Sequence, residues 1–262
     1  MIIRKSRREL ERMAAAGSVV ARALELLRRD AVAGVTTAEL DRLAEEFIRG
    51  EGGIPTFKGY HGFTGSICSS PNDMIVHGIP GPYELKDGDV ISIDVGVTLK
   101  GWVADSAITV AVGEVPSDAI RLLETCRLSL FDAIDACQPG AHLSDVGHAV
   151  QTRVEEQGFG VVRALVGHGV GRRMHEDPQV PNYGPAGRGP VLAAGMVLAI
   201  EPMITAGDHA IQPDADDGWS IYTADGSLAA HFEHTVAVTD AGPLVLTRHE
   251  NWSPVDDSVA AA

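Results

Sequence analysis

The architecture of this chain follows from the stretch Gly88-Asp89-Val90-Ile91-Ser92-Ile93-Asp94, an apolar strand pattern that closes on a carboxylate. The same pattern recurs 107 residues later as Gly195-Met196-Val197-Leu198-Ala199-Ile200-Glu201. A second acid-bearing strand pattern follows each one, from Asp105 to Val110 and from Glu233 to Val238. We therefore predict two antiparallel hairpins, each with one acid on each strand.

The segments before the two hairpins also match each other. Residues 34–52 and residues 140–158 begin and end with glycine and carry apolar residues three or four positions apart, which is typical of a helix. His61-Gly62 recurs as His168-Gly169, again 107 residues later. A nearly constant offset over a helix, a dipeptide and a strand indicates a duplicated α+β unit.

The duplication predicts one domain, residues 1–262, with pseudo-symmetric halves at about 1–115 and 116–262. Two such halves placed face to face form one sheet with helices covering one face. The offset between the second acids grows to 128 residues, from Asp105 to Glu233. We therefore expect the second hairpin to hold an extra loop of about 21 residues within Ala206–Ser227.

Composition and charge narrow the classes of function. The chain has 262 residues, of which 45% are hydrophobic and 22% charged, as in ordinary globular proteins. Its formal net charge of −15 opposes general nucleic-acid binding, because phosphate neutralisation needs a basic face. One basic cluster, formed by Arg4, Lys5, Arg7 and Arg8, is explained at least as well by a solvated helix start as by an RNA contact.

The cysteines indicate a reducing compartment. Cys68, Cys126 and Cys137 are odd in number and form no CxxC pair, so we expect no disulfide framework and a cytoplasmic location. The sequence shows no signal-peptide pattern and no stretch of about 18 apolar residues, so we expect no membrane association.

The four strand acids, Asp94, Asp105, Glu201 and Glu233, are the main candidates for chemistry. A carboxylate among buried strand residues is costly unless it is paired or bound to metal, and a single one is often explained by a buried arginine or a turn amide. Four acids at equivalent positions of two halves would meet at the pseudo-twofold axis and repel one another. Divalent cations relieve such repulsion best.

Histidines extend this candidate site. His168 lies between Gly167 and Gly169; a lone histidine in such a stretch is ordinarily structural, but beside four buried acids the ligand interpretation is favoured. Two Asp, two Glu and one His suit a pair of divalent ions such as Co, Mn, Fe or Zn, which generate hydroxide and polarise a carbonyl. His77 and His175 lack HExxH spacing and are candidate donors to a substrate carbonyl or oxyanion.

Taken together, these motifs resemble those of type I methionine aminopeptidases over nearly the whole chain. The matching segments are Tyr60-His61-Gly62-Phe63, Cys68 through Asn72, Val76-His77-Gly78-Ile79-Pro80, Asp94 with Asp105, Gly167-His168-Gly169-Val170-Gly171, His175-Glu176-Asp177-Pro178, Ile200-Glu201-Pro202-Met203 and Glu233-His234-Thr235. The resemblance implies the pita-bread fold, a curved antiparallel sheet covered by helices. It also implies a cytoplasmic hydrolase that removes the initiator methionine from nascent proteins when the next residue is small.

The resemblance further implies roles for single residues. Two divalent metal ions would be held by Asp94, Asp105, His168, Glu201 and Glu233, and a hydroxide between the ions would attack the first peptide bond. Glu201 would shuttle the proton, His77 would contact the scissile amide, and His175 would steady the carbonyl and its tetrahedral intermediate. The methionine pocket would be lined by Tyr60, Phe63, Cys68 and Trp219, although ordinary core packing also explains the first three.

Two alternatives stay open at this stage. An Xaa-Pro peptidase of the same fold shares the five ligands but usually carries an additional N-terminal domain, whereas this sequence starts directly with the repeat. A metal-free binding protein that kept the fold typically lacks ligands, and here all five are present. We favour the aminopeptidase and expect a monomer that meets nascent chains at the ribosome.

Overall fold

A computed structural model describes residues 1–248, so residues 249–262 of the second predicted half lie outside the described residues. The helices are α1 (Arg7–Asp30), α2 (Thr37–Gly50), α3 (Ser117–Ala136) and α4 (Leu143–Glu156), with a 3-10 turn at Tyr60–Gly62. The strands are β1 (Ile54–Pro55), β2 (Cys68–Pro71), β3 (Met74–Val76), β4 (Val90–Leu99), β5 (Trp102–Ala111), β6 (Gly160–Val161), β7 (Gly167–Gly169), β8 (Glu176–Val180), β9 (Val197–Ile200), β10 (Met203–Thr205), β11 (Ile211–Pro213), β12 (Ile221–Thr223), β13 (Ala229–His231), β14 (Glu233–Thr239) and β15 (Gly242–Val245).

One antiparallel sheet of nine strands forms the centre of the protein. Its main order is β1-β4-β5-β14-β9-β7-β8, with β2 beside β4 and β15 beside β14. Strands β4 and β5 form a hairpin whose turn residues, Lys100 and Gly101, both have positive φ. Turns of that kind match the natural twist of paired strands. The two halves meet where β5 pairs with β14, with Glu233 opposite Ala107.

Each pair of helices covers its own part of the sheet. Helix α1 packs on β4 and β5 and also contacts α2, while α3 packs on α4, β13 and β14. Capping boxes start α1 and α2: Ser6 pairs with Glu9, and Thr36 pairs with Glu39. The predicted α+β architecture, with helices at 34–52 and 140–158, is therefore confirmed. Within residues 1–248, none of the helices is both long and apolar enough to span a bilayer.

Two sequence-based expectations about strands need correction. Asp94 does not end its strand, because β4 continues to Leu99 and its alternating apolar residues keep pairing with β5. The predicted loop within Ala206–Ser227 is partly regular: β11 and β12 form a hairpin, and β12 pairs with β3. That pairing ties the insertion to the first half of the chain.

The expectation of a solvated basic cluster is wrong for Lys5. Its side chain is buried, and Nζ lies 2.8 Å from Oε2 of Glu176, which is buried as well. The backbone N–H of Lys5 also donates to the carbonyl of Gly195. Because α1 begins only at Arg7, Lys5 belongs to the preceding extended segment, which lies on the second half of the sheet.

The close approach of α1 to the chain after β15 gives a first prediction. A Cβ atom on Gly17 would lie 2.1 Å from the carbonyl oxygen of Leu246, whereas one on Gly50 would have no neighbour within 4 Å. We expect Gly17→Ala to lower the free energy of unfolding by about 1–3 kcal/mol despite the better helix propensity of alanine. The matched control, Gly50→Ala in α2, should be neutral or slightly stabilising. Urea denaturation of both variants measures this, and equal midpoints would contradict the packing argument.

Candidate active site

The sheet register brings the predicted acids onto one face. Asp94 on β4 pairs with Ala107 on β5, and Ala107 pairs in turn with Glu233 on β14. These residues form one row across three strands, and side chains in one such row point to the same face. Ala107, between the two acids, has only a methyl group, which leaves space for both carboxylates.

The neighbouring row supplies the imidazole and the second aspartate. His168 on β7 pairs with Ala199 on β9, and Ala199 pairs with Thr235 on β14. Thr235 lies beside Asp105, whose backbone N–H donates to Thr235 Oγ1 at 2.9 Å. Residues two apart on a strand share a face, so this row and the row of Asp94 open to the same side. Glu201 follows directly after β9.

The side chains from the two rows lie close enough to share a cation. Candidate ligand atoms of Asp105, His168 and Glu233 all lie within 4.8 Å of one another. His168 Nε2 is 3.5 Å from Glu201 Oε1 and 3.8 Å from Asp105 Oδ2. His168 Nδ1 lies 2.9 Å from the carbonyl oxygen of Gly169, which makes it the protonated nitrogen and leaves a lone pair on Nε2.

Burial perturbs every titratable group of this cluster. Burial raises the pKa of all four acids, Asp94, Asp105, Glu201 and Glu233. For the last three, repulsion from neighbouring carboxylates raises the pKa further. Burial also lowers the pKa of His168 to about 4, so the ring is neutral and able to act as a ligand. The cluster is therefore costly when fully ionised and is stabilised by added positive charge.

Unpaired oxygens show that these residues fit a metal ion. Within residues 1–248, Asp94 Oδ1, Asp105 Oδ1 and Glu233 Oε1 are buried and have no hydrogen-bond partner. Buried acceptors are nearly always satisfied in native proteins, so three unsatisfied ones in one cluster indicate a bound group. Carboxylate oxygens with one imidazole are a suitable ligand set for divalent ions of the first transition series.

A cavity of about 290 Å³ opens above the cluster. Its walls are apolar on one side, where Phe63 meets Trp219 edge to face with ring centroids 5.1 Å apart. The cavity is lined by all the residues singled out in the sequence, namely Tyr60, Phe63, Cys68, His77, Asp94, Asp105, His168, His175, Glu201, Trp219 and Glu233. The structure thus brings them together, while the function of each remains a prediction.

Two histidines at the cavity are held in defined positions. His175 Nδ1 lies 2.7 Å from the hydroxyl of Tyr60, so Tyr60 orients this ring as well as lining the cavity. His77 has a φ of 62°, a conformation that is uncommon outside glycine and that clusters at functional sites. Burial lowers the pKa of both His77 and His175, which favours neutral rings.

No sequence pattern predicted the residues that support His175. The Glu176 carboxylate accepts the backbone N–H groups of Arg172 and Arg173, at 2.9 and 3.3 Å, and thereby fixes the turn that leads to His175. Buried Lys5 neutralises that carboxylate. The pair joins positions 171 residues apart, so no local pattern could have revealed it.

The comparisons with known proteins agree with this geometry. Residues 11–240 match metallopeptidase family M24, and the chain belongs to that family. Metallopeptidases of this family use divalent metal, for which the Asp105, His168 and Glu233 cluster is a candidate site.

Within this family, the chain is similar to methionine aminopeptidases of several bacteria. The chain is 52% identical to methionine aminopeptidase 1 of Bacillus subtilis, over 95% of this chain and 100% of that protein. It is 50% identical to methionine aminopeptidase 1 of Mycobacterium tuberculosis, over 94% of this chain and 95% of that protein. The crystal structure of methionine aminopeptidase from Thermotoga maritima superposes with a TM-score of 0.93 at 44% identity, covering 95% of this chain and all of that one.

A more distant structure shows the fold alone. Prolidase from Pyrococcus furiosus has a TM-score of 0.74 at 20% identity, and the match covers 95% of this chain and 66% of the prolidase. The pita-bread fold expected from the sequence is confirmed by both kinds of neighbour.

The raised carboxyl pKa values predict how the metal-free protein responds to pH. Above about pH 4 the unfolded chain has released protons that the native cluster still holds, so the free energy of unfolding falls as pH rises. We expect a loss on the order of 2 kcal/mol between about pH 5 and about pH 8. Added divalent metal should restore it. Urea denaturation across this pH range, with and without metal, measures both effects.

Variants separate this effect from the general negative charge of the chain. The double variant Asp94→Asn with Glu233→Gln should flatten the pH dependence of the metal-free protein. A control that removes two exposed acids, Glu114→Gln with Asp118→Asn, should leave the slope unchanged. Equal slopes in all three proteins would show that the buried cluster does not set the pH dependence.

Proposed function

We propose that this chain is a methionine aminopeptidase, which removes the N-terminal methionine from polypeptides whose second residue is small. One observation carries the proposal: a cluster of acids and an imidazole, in which three carboxylate oxygens have no hydrogen-bond partner among residues 1–248, forms the floor of an apolar-walled cavity. The substrates would be the N-termini of nascent polypeptides, which a cytoplasmic enzyme meets as they leave the ribosome. High identity to methionine aminopeptidases over nearly the full chain supports this activity.

The cavity wall suits a methionine side chain. Phe63 and Trp219 present an aromatic corner, and Cys68 adds a polarisable sulfur beside them. A thioether is soft and flexible, and its sulfur packs favourably against aromatic rings. The apolar wall therefore selects the side chain, while the free amine of the peptide approaches the floor of the cavity beside Asp94.

Two divalent ions would be held by Asp94, Asp105, His168, Glu201 and Glu233. When bound, the ions supply Lewis acidity toward the first peptide carbonyl and make water a nucleophile at neutral pH. Around them, Glu201 takes the proton from the attacking water and passes it to the leaving amine.

The two cavity histidines orient the scissile bond. When the Tyr60 hydroxyl donates to His175 Nδ1, the ring carries its proton on Nε2 and presents that N–H to the cavity. There it donates to the substrate carbonyl and to the oxyanion that develops from it. His77, beside Trp219, contacts the amide of the same peptide bond.

Substrate choice tests the proposed activity. We expect release of methionine from Met-Ala-Ser and no cleavage of Xaa-Pro dipeptides whose first residue is not methionine, since the apolar corner receives the side chain of the first residue. Exhaustive, verified chelation should abolish the activity, and each divalent metal in turn should be tested for recovery. Preferential cleavage of Xaa-Pro peptides would contradict the proposal, and full activity without metal would exclude a metallopeptidase.

A second experiment tests the role of His175. His175→Ala should lower kcat about 10²–10³-fold, as expected for the loss of an oxyanion donor, while metal content stays the same. Tyr60→Phe keeps the ring but removes the hydroxyl that orients His175, so it should lower kcat by a smaller factor. Loss of one metal ion per chain in His175→Ala would instead make His175 a ligand.

A further inference from the structure

His231, the last residue of β13, has a buried side chain that no contact explains. It is 2% exposed, and neither Nδ1 nor Nε2 has a hydrogen-bond partner among residues 1–248. Its backbone, in contrast, is held on both sides by Thr109: the His231 N–H donates to Oγ1, and the Thr109 hydroxyl donates to the His231 carbonyl, both at 2.8 Å. The ring is therefore placed by a fixed backbone.

An unpaired imidazole in this position is costly. The neutral ring carries one N–H donor and one lone pair, and each buried polar group without a partner costs about 1–3 kcal/mol. Hydrophobic side chains would fill the same space without that cost. A buried histidine whose nitrogens are both unpaired therefore indicates a partner that it gains when the site is assembled for its function.

The carboxylate of Glu201 lies close to the ring of His231. His231 Nε2 lies 4.0 Å from Glu201 Oε2, and the other carboxylate oxygen, Oε1, lies 3.5 Å from His168 Nε2. Two imidazoles thus face the two oxygens of one carboxylate. They differ in chemistry, because His168 Nδ1 is engaged with the Gly169 carbonyl and leaves a lone pair on Nε2, whereas His231 has no such acceptor at Nδ1.

We propose that His231 is a positioning residue for Glu201, to whose Oε2 it donates a hydrogen bond from Nε2–H. An approach of about 1 Å brings the pair into hydrogen-bond range. The bond keeps Oε1 of Glu201 directed toward His168 and the cavity, while Oε2 accepts the hydrogen bond from His231. The inference rests on the proposed function, in which Glu201 is both a metal ligand and the proton shuttle.

Two substitutions at the same position separate the hydrogen bond from packing. His231→Met fills the space without a donor, and His231→Gln retains an N–H at the end of a side chain of similar reach. We expect His231→Met to weaken Zn²⁺ binding about 10–100-fold in calorimetric titrations, as is typical when a group that orients a metal ligand is lost. It should also lower kcat for Met-Ala-Ser about ten-fold or more with little change in KM, since Glu201 acts in the chemical step.

The glutamine variant supplies the contrast. His231→Gln should recover most of the Zn²⁺ affinity and most of kcat, and the thermal midpoints of the two metal-free variants should be similar. If the methionine variant binds Zn²⁺ as tightly as the unmodified chain, or if the two variants are equally impaired, the positioning role is overturned.

A spectroscopic measurement on the unmodified chain does not depend on the folding of any variant. In the Zn²⁺-loaded protein with ¹⁵N-labelled histidine, correlation spectra should show His231 as the neutral Nε2–H tautomer with a slowly exchanging ring proton. The signal is assigned by its absence in His231→Gln. An Nδ1–H tautomer would overturn the proposal. Failure of the unmodified chain to cleave Met-Ala-Ser would reject the proposed function but would leave this result unchanged.

Discussion

The burial of mutually repelling carboxylates is the constraint on which this structure depends. Asp105 and Glu233 are each 2% exposed and come from the two strands that join the halves of the sheet. Burial raises the pKa of both carboxyl groups, and other carboxylates of the cluster raise it further, so the cluster opposes its own ionisation. A fold that keeps such groups together needs hydrogen bonds that hold their backbones in place and a cation that neutralises their charge.

Hydroxyl side chains on the central strands make the hydrogen bonds that hold the cluster together. Thr235 Oγ1 accepts the N–H of Asp105 and donates to its carbonyl, and Ser106 Oγ donates to the carbonyl of Glu233. Thr109 binds His231 in the same two-sided manner. Each hydroxyl fixes the backbone of a residue in or near the cluster, so the side chains cannot relieve their repulsion by a shift of the strands.

That the acids lie close together could be predicted from the sequence because strand geometry is periodic. A constant offset and the alternation of faces are enough to place Asp94 and Glu233 together, without knowledge of distant contacts. The contact between Tyr60 and His175 spans 115 positions and follows no period, as does the burial of Lys5 against Glu176. Such contacts depend on where loops and termini lie on the finished sheet, and only the folded chain shows that.

The positions of the acids and of the cavity wall along the chain explain how a duplicated α+β unit forms a specific site. In the first half, β4 and β5 are joined by a tight turn, whereas the equivalent strands β9 and β14 are separated by the strands β10 to β13. The candidate metal ligands lie on or directly beside the strands of the repeated frame. Trp219, in contrast, belongs to the inserted segment within Ala206–Ser227, and His231 ends β13 shortly after it. Since the insertion pairs with β3, near His77, it closes the cavity against the first half. The symmetric part of the chain thus supplies the acidic cluster, and the part that breaks the symmetry supplies one wall of the cavity.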